Sequence, residues 1–231
     1  IRHKGFIPWD DDIDIVMPRA DYDKFITYCS SHNTPFKLFS HEVNNTYYYL
    51  YAKVCDVNTL LIEENTNRGN CDLGAFVDVF PIDPLGNDKK EATKLYRKTR
   101  FRRELLEAAN WKKFFKSKTH SWYIEPIRLC FFILSRFVNI RKLIHKIERN
   151  YVRVPNIGNK YCGVVCGSYR NKEIFTSDIF SKYIDAQFET RTFKVIEQYD
   201  KWLNQIYGDY KKLPPENKRV THHTFKVYWR D

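Results

Sequence analysis

Three aspartates near the start of the chain have the type and spacing of metal ligands. Asp10, Asp12 and Asp14 occupy every second position of the segment WDDDIDIVMP, residues 9–18. Because side chains alternate between the two faces of a β-strand, this spacing predicts three carboxylates on one face. The opposite face would then carry the core-facing apolar residues Ile13, Ile15 and Met17. Carboxylates on one face repel each other, and a hard cation such as Mg²⁺ removes that cost while binding phosphate oxygens. The pattern therefore predicts a metal site for phosphate chemistry.

An acidic cluster where a loop meets a strand can also consist of solvated turn residues. Two neighbouring features favour the metal site. The cluster continues directly into the apolar run of residues 13–17, which is typical of a strand. It is also preceded by the glycine-containing turn of residues 2–5, in which Arg2 and Lys4 could hold an anion beside the metal.

A second acidic position lies within the strongly apolar segment FVDVF, residues 76–80. A lone buried carboxylate such as Asp78 is costly unless it is paired or bound to a cation. If its strand neighboured the first one, Asp78 would join Asp12 and Asp14 in a cradle for one or two ions. The alternative is an aspartate that caps the turn after a strand, and we prefer that interpretation for Asp83.

Composition limits the class of protein. The chain has 231 residues, a net charge of +11 and 43% hydrophobic residues, which permits a substantial core and excludes disorder. Residues 89–118 contain twelve lysines and arginines but only three glutamates. Such a segment attracts polyanions, which include nucleic acid, acidic lipid headgroups and phosphorylated substrates. A solvated basic face without any partner is the alternative.

Residues 122–138 are the most apolar stretch, but charged residues interrupt them at Glu125, Arg128 and Arg136. The stretch is too short and too charged to span a bilayer, and an amphipathic helix at a membrane surface fits it. Core packing in a helical hairpin would explain the same residues. The six cysteines lack the density of a disulfide framework, so we expect reduced thiols in a cytosolic protein, with zinc binding a minor alternative.

The remaining patterns predict an α+β fold. We expect a strand over residues 13–17, a helix over 19–31, a strand over 73–80, two long helices within 88–150, and a helix over 196–207 that Gly208 closes. A small mixed sheet with flanking helices would thus come first, followed by a helical C-terminal half. Three regions result, namely a catalytic core at 1–86, a basic and amphipathic helical region at 87–153, and a C-terminal segment at 154–231 that completes the active site.

Three blocks of sequence closely resemble the LicD family of phosphocholine transferases, which is related to fukutin and fukutin-related protein. They are RHKGFIPWDDDIDIVMPR at residues 2–19, VDVFPID at 77–83, and YGDYKKLPP at 207–215 followed by His222 and His223. The resemblance implies a nucleotidyltransferase-like mixed sheet. It also implies that a phospho-alcohol such as phosphocholine is transferred from a CDP-activated donor to a glycan. The family's Gly-Ser/Thr-Leu-Leu-Gly element, which precedes Arg2 and contacts donor phosphate, is missing, so we expect this chain to be a fragment.

The resemblance also assigns roles to residues. Asp12 and Asp14 become ligands of Mg²⁺, or of Mn²⁺, with Asp78 as the third carboxylate and Asp10 as a supporting acid close to the metal. Bound Mg²⁺ would neutralise charge on the departing CMP, and Asp78 could accept the proton of the attacking sugar hydroxyl.

Other residues are candidates for substrate binding. The cations Arg2, Lys4 and Lys53 could reach a phosphate, with ordinary surface charge as the alternative. His222 and His223 could contact phosphate or acceptor, or could only shape a turn. We expect Tyr207 and Tyr210 to pack the turn at residues 213–215 rather than bind a ligand.

The sequence is compatible with three alternative functions. The first is a Mg²⁺-dependent transferase that moves a phospho-alcohol from a CDP-alcohol to a cell-surface glycan, as in lipopolysaccharide or teichoic acid synthesis, or to its lipid-linked precursor. Such an enzyme would be cytoplasmic and peripheral, in contact with anionic lipid at the inner face of the cell membrane, with no nucleic acid as partner. The second is a nucleotidyltransferase that uses a nucleoside triphosphate on nucleic acid or a small molecule. The third is a membrane-bound binding module without catalysis.

Overall fold

One long strand organises the molecule. The computed structural model describes residues 1–117, 121–151, 158–221 and 225–230. Strand β5 (Phe76–Pro84) pairs in parallel with β1 (Asp14–Pro18) along one edge. Along its other edge it pairs antiparallel, first with β3 (Ala52–Asp56) and then with β6 (Tyr161–Gly163). Its length lets one strand join two segments from the first quarter of the chain, β1 and β3, with β6 from the last third.

The other strands extend this sheet or form two small ones. Strand β2 (Phe36–Phe39) pairs with β3, and β7 (Ile174–Thr176) pairs with β6, which gives a mixed six-stranded sheet. Two antiparallel pairs lie apart from it: β4 (Thr59–Ile62) with β10 (Lys226–Trp229), and β8 (Tyr183–Phe188) with β9 (Arg191–Ile196). The mixture of this sheet with separate helices confirms the α+β class.

The described residues form five α-helices. They are α1 (Arg19–Ser31), α2 (Lys89–Ala109), α3 (Glu125–Ser135), α4 (Ile140–Glu148) and α5 (Tyr199–Tyr207). The described part of residues 88–150 thus forms three α-helices, not the predicted two, because Asn139 starts a new helix by accepting a hydrogen bond from the Lys142 backbone N–H at 3.0 Å. The region after α4 is also less helical than predicted, since its described residues form five short strands besides α5.

The end of α5 agrees with the sequence prediction. Gly208 has φ of +75°, a region that glycine adopts without steric cost, and its N–H donates to the Asn204 carbonyl at 2.9 Å. The chain can therefore turn sharply after Tyr207, and this turn leads into the block at 207–215.

The sheet is held to α1 by a small apolar cluster and one ion pair. Tyr22 and Ile26 of α1 pack on Ala52 and Val79 of the central strands. At the far end of β5, buried Asp83 accepts from Arg19 Nε at 2.7 Å. Burial raises the pKa of Asp83 to about 6, against the opposing effect of Arg19. The expectation that Asp83 caps a turn was therefore wrong: it anchors the start of α1.

Helix α3 presents apolar side chains to solvent. Ile127 and Ile133 are exposed, and the flanking Trp122 and Phe137 are 84% and 85% exposed. Among the described residues, no helix combines the length and the apolar character that crossing a membrane requires. All six cysteines are free thiols, as expected from their sparse spacing.

Candidate active site

Strand register brings three charged residues into one row across the sheet. Asp14 on β1 lies opposite Asp78 on β5, and Asp78 lies opposite Lys53 on β3. Directly opposed residues in neighbouring strands project from the same face. The two carboxylates that the sequence assigned to separate strands are therefore nearest neighbours, as the motif required.

The acidic segment before β1 does not form the predicted strand. The strand begins at Asp14, and residues 10–13 lie in the loop that precedes it. The loop still gathers carboxylates: oxygens of Asp10, Asp11 and Asp12 all lie within 4.8 Å of one another. The Asp78 backbone N–H donates to the Ile13 carbonyl at 2.9 Å, which fixes the loop to the central strand. The cluster therefore arises from a loop, and it includes Asp11, which was not among the predicted ligands.

The expected core face of β1 is also only partly correct. Met17 packs against the cluster under α1, but Ile15 is 41% exposed. The reason is that β1 is an edge strand, with β5 as its single partner among the described strands. Alternation alone does not bury every apolar residue of such a strand.

The electrostatics of the acidic residues show how closely they lie together. Burial, followed by the negative charges of Asp12 and Asp78, raises the pKa of Asp14 to about 7, while Lys53 acts in the opposite direction. Burial and the charge of Asp12 likewise raise the pKa of Asp10. Asp10 and Asp14 are thus close enough to the neighbouring carboxylates for those negative charges to act on them.

Lys53 has a different immediate partner from the one predicted. Its ammonium donates to both oxygens of Asp78, at 2.7 and 3.0 Å, and both residues are buried. The same nitrogen lies 3.3 Å from the centre of the Phe76 ring, with Tyr49 and Tyr51 near 5.5 Å. Lys53 is therefore in the site, but it holds Asp78 in place instead of extending toward a phosphate.

The basic turn at the start of the chain already contains an anion of its own. The Glu189 carboxylate accepts from the Phe6 backbone N–H at 3.0 Å and fills the space beside Gly5, where a Cβ would lie 2.1 Å from its oxygen. Arg2 donates to the backbone carbonyls of Tyr210 and Lys212, at 2.6 and 3.3 Å. Arg2 thus joins the start of the chain to the segment after α5, which corrects the prediction that Arg2 holds a substrate phosphate.

The substrate contacts predicted for Lys4 and for the two histidines remain open for different reasons. Lys4 is exposed, with a left-handed backbone (φ 53°), and its carbonyl accepts from the Glu189 N–H at 2.7 Å. Its predicted phosphate contact stays a prediction. His222 and His223 lie outside the described residues.

Two tyrosines are close enough to the acidic cluster for its charges to act on them, and sequence reasoning missed them as site residues. The rings of Tyr169 and Tyr207 meet edge to face at 5.3 Å. Burial chiefly raises the pKa of both phenols, and the negative charges of Asp14 and Asp10 contribute in the same direction. Tyr207 therefore contacts Tyr169 and does not simply pack the following turn, whereas Tyr210 donates from its hydroxyl to Asp200. The position of Tyr207 in a family-like block was a usable signal; nothing in the sequence singled out Tyr169.

Glu173 positions the turn that carries Tyr169. One carboxylate oxygen accepts from the Tyr169 backbone N–H at 2.6 Å, and the residue is 4% exposed. Gly167 is needed here, since a Cβ would lie 1.8 Å from the other oxygen of Glu173. Burial raises the pKa of Glu173 to about 7.

This raised pKa makes the protein less stable at higher pH. A carboxyl with a higher pKa in the folded state stabilises the fold below its unfolded pKa, and that stability is lost as the pH rises through about 7. We expect Glu173→Gln to keep the Tyr169 contact and to increase the free energy of unfolding at pH 8 by about 3 kcal/mol, with little effect at pH 4. Urea denaturation at both pH values measures this. The exposed Glu197→Gln is the matched control, and an equal pH dependence for wild type and Glu173→Gln would contradict the assignment.

A small cavity adjoins the acidic loop. It has a volume of about 160 Å³, with Asp11 and Asp12 on one side and mainly apolar walls that include Phe76 and Phe225. The two rings lie 5.6 Å apart. The cavity can take a small, weakly hydrated group next to negative charge.

Comparisons with known proteins identify the family of the chain. A family model described as LicD/FKTN/FKRP, nucleotidyltransferase domain, matches residues 1–121, which include the acidic loop and the row on β1, β3 and β5. The chain belongs to this LicD/FKTN/FKRP family. The lipopolysaccharide cholinephosphotransferase LicD of Haemophilus influenzae is 30% identical over 233 residues, covering 99% of this chain and 84% of that protein. No solved structure matches. The predicted enzyme class is confirmed: the chain is a phosphotransferase of the LicD type.

Proposed function

We propose that this protein transfers phosphocholine, or a similar phospho-alcohol, from a CDP-activated donor to a cell-surface glycan of the lipopolysaccharide type or its lipid-linked precursor. The observation that carries the proposal is the register of β1 and β5, which opposes Asp14 and Asp78 beside the carboxylates of the preceding loop. The printed activity of the Haemophilus influenzae relative supports the choice of phosphocholine and of lipopolysaccharide.

The donor set fits Mg²⁺. The candidate ligands are Asp10, Asp12, Asp14 and Asp78, all with hard carboxylate oxygens of the kind that Mg²⁺ and Mn²⁺ prefer. The pKa of about 7 at Asp14 results chiefly from burial and then from the negative charges of Asp12 and Asp78, which a divalent cation would offset. Bound there, the ion would supply neutralisation of charge on the diphosphate of the donor.

The transfer itself requires positioning and one proton acceptor. The oxygen of an acceptor hydroxyl forms a bond to the donor phosphorus that carries the alcohol, the bond from that phosphorus to the CMP oxygen breaks, and CMP leaves with the electron pair. We propose that Asp78, oriented by its two contacts with Lys53, accepts the hydroxyl proton. Tyr169 and Tyr207, beside the carboxylates, would orient the acceptor.

The small cavity favours choline among the possible alcohols. A quaternary ammonium group is cationic and poorly hydrated, and aromatic faces attract it. Phe76 and Phe225 offer aromatic walls, and Asp11 and Asp12 offer negative charge at the edge of the same cavity.

A screen of CDP-alcohols tests the function. With Mg²⁺ and a lipopolysaccharide acceptor, we expect CMP release from CDP-choline, faster than from CDP-ribitol or CDP-glycerol, and loss of release when EDTA removes the metal. Chromatography of the nucleotide products measures this. Incorporation of nucleotide from CTP or ATP without CMP release would instead support a nucleotidyltransferase, and no turnover of any donor would support a binding module.

We also propose that the enzyme works as a peripheral protein at the anionic inner face of the cell membrane. The support is α3, whose exposed Ile127 and Ile133 are flanked by the nearly fully exposed Trp122 and Phe137. An apolar face of this kind inserts at the boundary between headgroups and acyl chains.

Sedimentation with vesicles tests this contact. We expect binding to vesicles of phosphatidylcholine and phosphatidylglycerol that persists in 1 M salt, because apolar insertion is not screened. The pair Trp122→Ser and Phe137→Ser should reduce binding at least fivefold. The matched control is Trp229→Ser with Phe36→Ser, which removes an exposed tryptophan and an exposed phenylalanine elsewhere. Equal binding by all variants, or complete loss of wild-type binding in high salt, would contradict insertion of α3.

A further inference from the structure

The basic residues of 89–118 do not form one uniform surface. Several already have partners in the protein: Arg103 donates to the Val165 and Gly167 carbonyls, Arg100 pairs with Glu104, and Lys113 pairs with Glu64. Lys98 and Arg102, one helical turn apart on α2, are different, because they line a cavity together with Lys146 of α4 and the two residues that follow α4.

This cavity, which we call the basic pocket, has a volume of about 330 Å³. Its lining consists of Lys98, Arg102, Lys146, Arg149 and Asn150. Beneath it, buried Leu105, Ile144 and Ile147 belong to the core that packs α2 against α4. Because packed cores resist deformation, the four cations are held near one another by the helices that carry them.

The four like charges of the basic pocket repel each other. In the described part of the chain, no carboxylate oxygen lies within 4.0 Å of any of these four side-chain cations. The partial negative charge at the end of α4 favours Lys146 and Arg149. It does not explain Lys98 and Arg102, which lie in the middle of α2.

We propose that the basic pocket binds a phosphate-bearing anion, at a site separate from the acidic cluster and sharing no residue with it. Arginine matches phosphate oxygens with paired donors, and lysine adds a point charge. The volume is at the small end of that of ligand sites and accommodates a diphosphate or a phosphorylated headgroup. The phosphate can belong to a soluble molecule or to a lipid at the membrane surface. This inference is independent of the proposed transfer reaction.

Two probes test the pocket, in EDTA so that the acidic site cannot bind through a metal. Inorganic pyrophosphate is titrated by calorimetry, and vesicles of phosphatidylcholine are compared with vesicles that also contain phosphatidic acid. The variant Arg102→Gln with Lys146→Gln removes half of the pocket charge. Its control, Lys90→Gln with Arg97→Gln, removes the same charge from exposed positions of α2 outside the pocket.

We expect at least a tenfold weaker Kd for one of the two probes in the pocket variant, and less than a twofold change in the control. If the pocket variant loses binding of pyrophosphate, the natural ligand is a soluble phosphate compound. If it loses only the binding to vesicles with phosphatidic acid, the ligand is a lipid headgroup. The charge-preserving Arg102→Lys with Lys146→Arg should retain binding, and thermal melts should show the pocket variant to be as stable as wild type or more so, because repulsion is relieved. Absence of binding by wild type to either probe, or equal losses in pocket variant and control, would overturn the proposal.

Discussion

Asp14→Asn should lower the rate of CMP release by roughly a hundredfold to a thousandfold, the cost expected when one charged group at a reaction centre is removed. Asparagine has the same shape, so β1 keeps its pairing with β5. The substitution should not weaken the fold. Burial, followed by the charges of Asp12 and Asp78, raises the pKa of Asp14 to about 7, so removal of its charge relieves both costs and should leave the thermal midpoint equal or higher.

The combination of lost activity and retained stability distinguishes a catalytic role from a structural one. Asp21→Asn is the matched control, because Asp21 is an exposed aspartate of α1 whose partner is the exposed Lys24. It should retain full activity. Calorimetric titration with Mg²⁺ supplies a second measurement, in which Asp14→Asn should weaken binding and Asp21→Asn should not. A rate for Asp14→Asn within threefold of wild type would exclude Asp14 from the reaction.

Lys53→Met should destabilise the protein by about 3–5 kcal/mol, the range found when one partner of a buried ion pair is removed. Lys53 is 3% exposed and Asp78 is 6% exposed, so the substitution leaves a carboxylate with its ammonium partner missing inside the sheet. Methionine fills a similar volume, which limits the effect of a cavity. Urea denaturation at pH 7 measures the loss.

A second substitution separates charge from packing. Adding Asp78→Asn to Lys53→Met removes the buried charge and should recover at least half of the lost stability. CMP release should be abolished in this double variant, because the proposed proton acceptor is gone. Lys37→Met on the neighbouring strand β2 is the control, since its ion pair with Asp72 is exposed and worth at most about 1 kcal/mol. If Lys53→Met lost no more stability than Lys37→Met, the pair with Asp78 would not be what holds that carboxylate.

Local patterns predicted the parts of the fold that depend on local forces. The helical spacing of apolar residues predicted α1 with its observed bounds, and the glycine at 208 predicted where α5 ends. Asp78 was recognised because a carboxylate inside an apolar strand is costly wherever that strand lies. The family resemblance then joined it to Asp14, and the register of β1 and β5 agrees.

Features that depend on distant contacts could not be predicted in this way. The alternation of Asp10, Asp12 and Asp14 suggested a strand, but the loop is held by contacts to β5 that no local pattern records. Lys53 was predicted to bind a phosphate. Its actual partner, Asp78, is 25 positions away, and only the strand register brings the two residues together. The Glu189 carboxylate in the basic turn and Tyr169 beside the acids come from segments whose approach depends on the whole fold.

The contacts of Arg2 have a consequence for the order in which the chain assembles. The row on β1, β3 and β5 needs only the first 84 residues, whereas the bond from Arg2 to the Tyr210 carbonyl spans 208 positions. During synthesis the central strands can pair while most of the polypeptide is still absent. The turn that precedes the acidic loop gains its contacts with residues 210 and 212 only when that later part of the chain has left the ribosome. An incomplete product would then have the paired central strands and the loop bound to β5, but not the connection that joins Arg2 to the segment after α5.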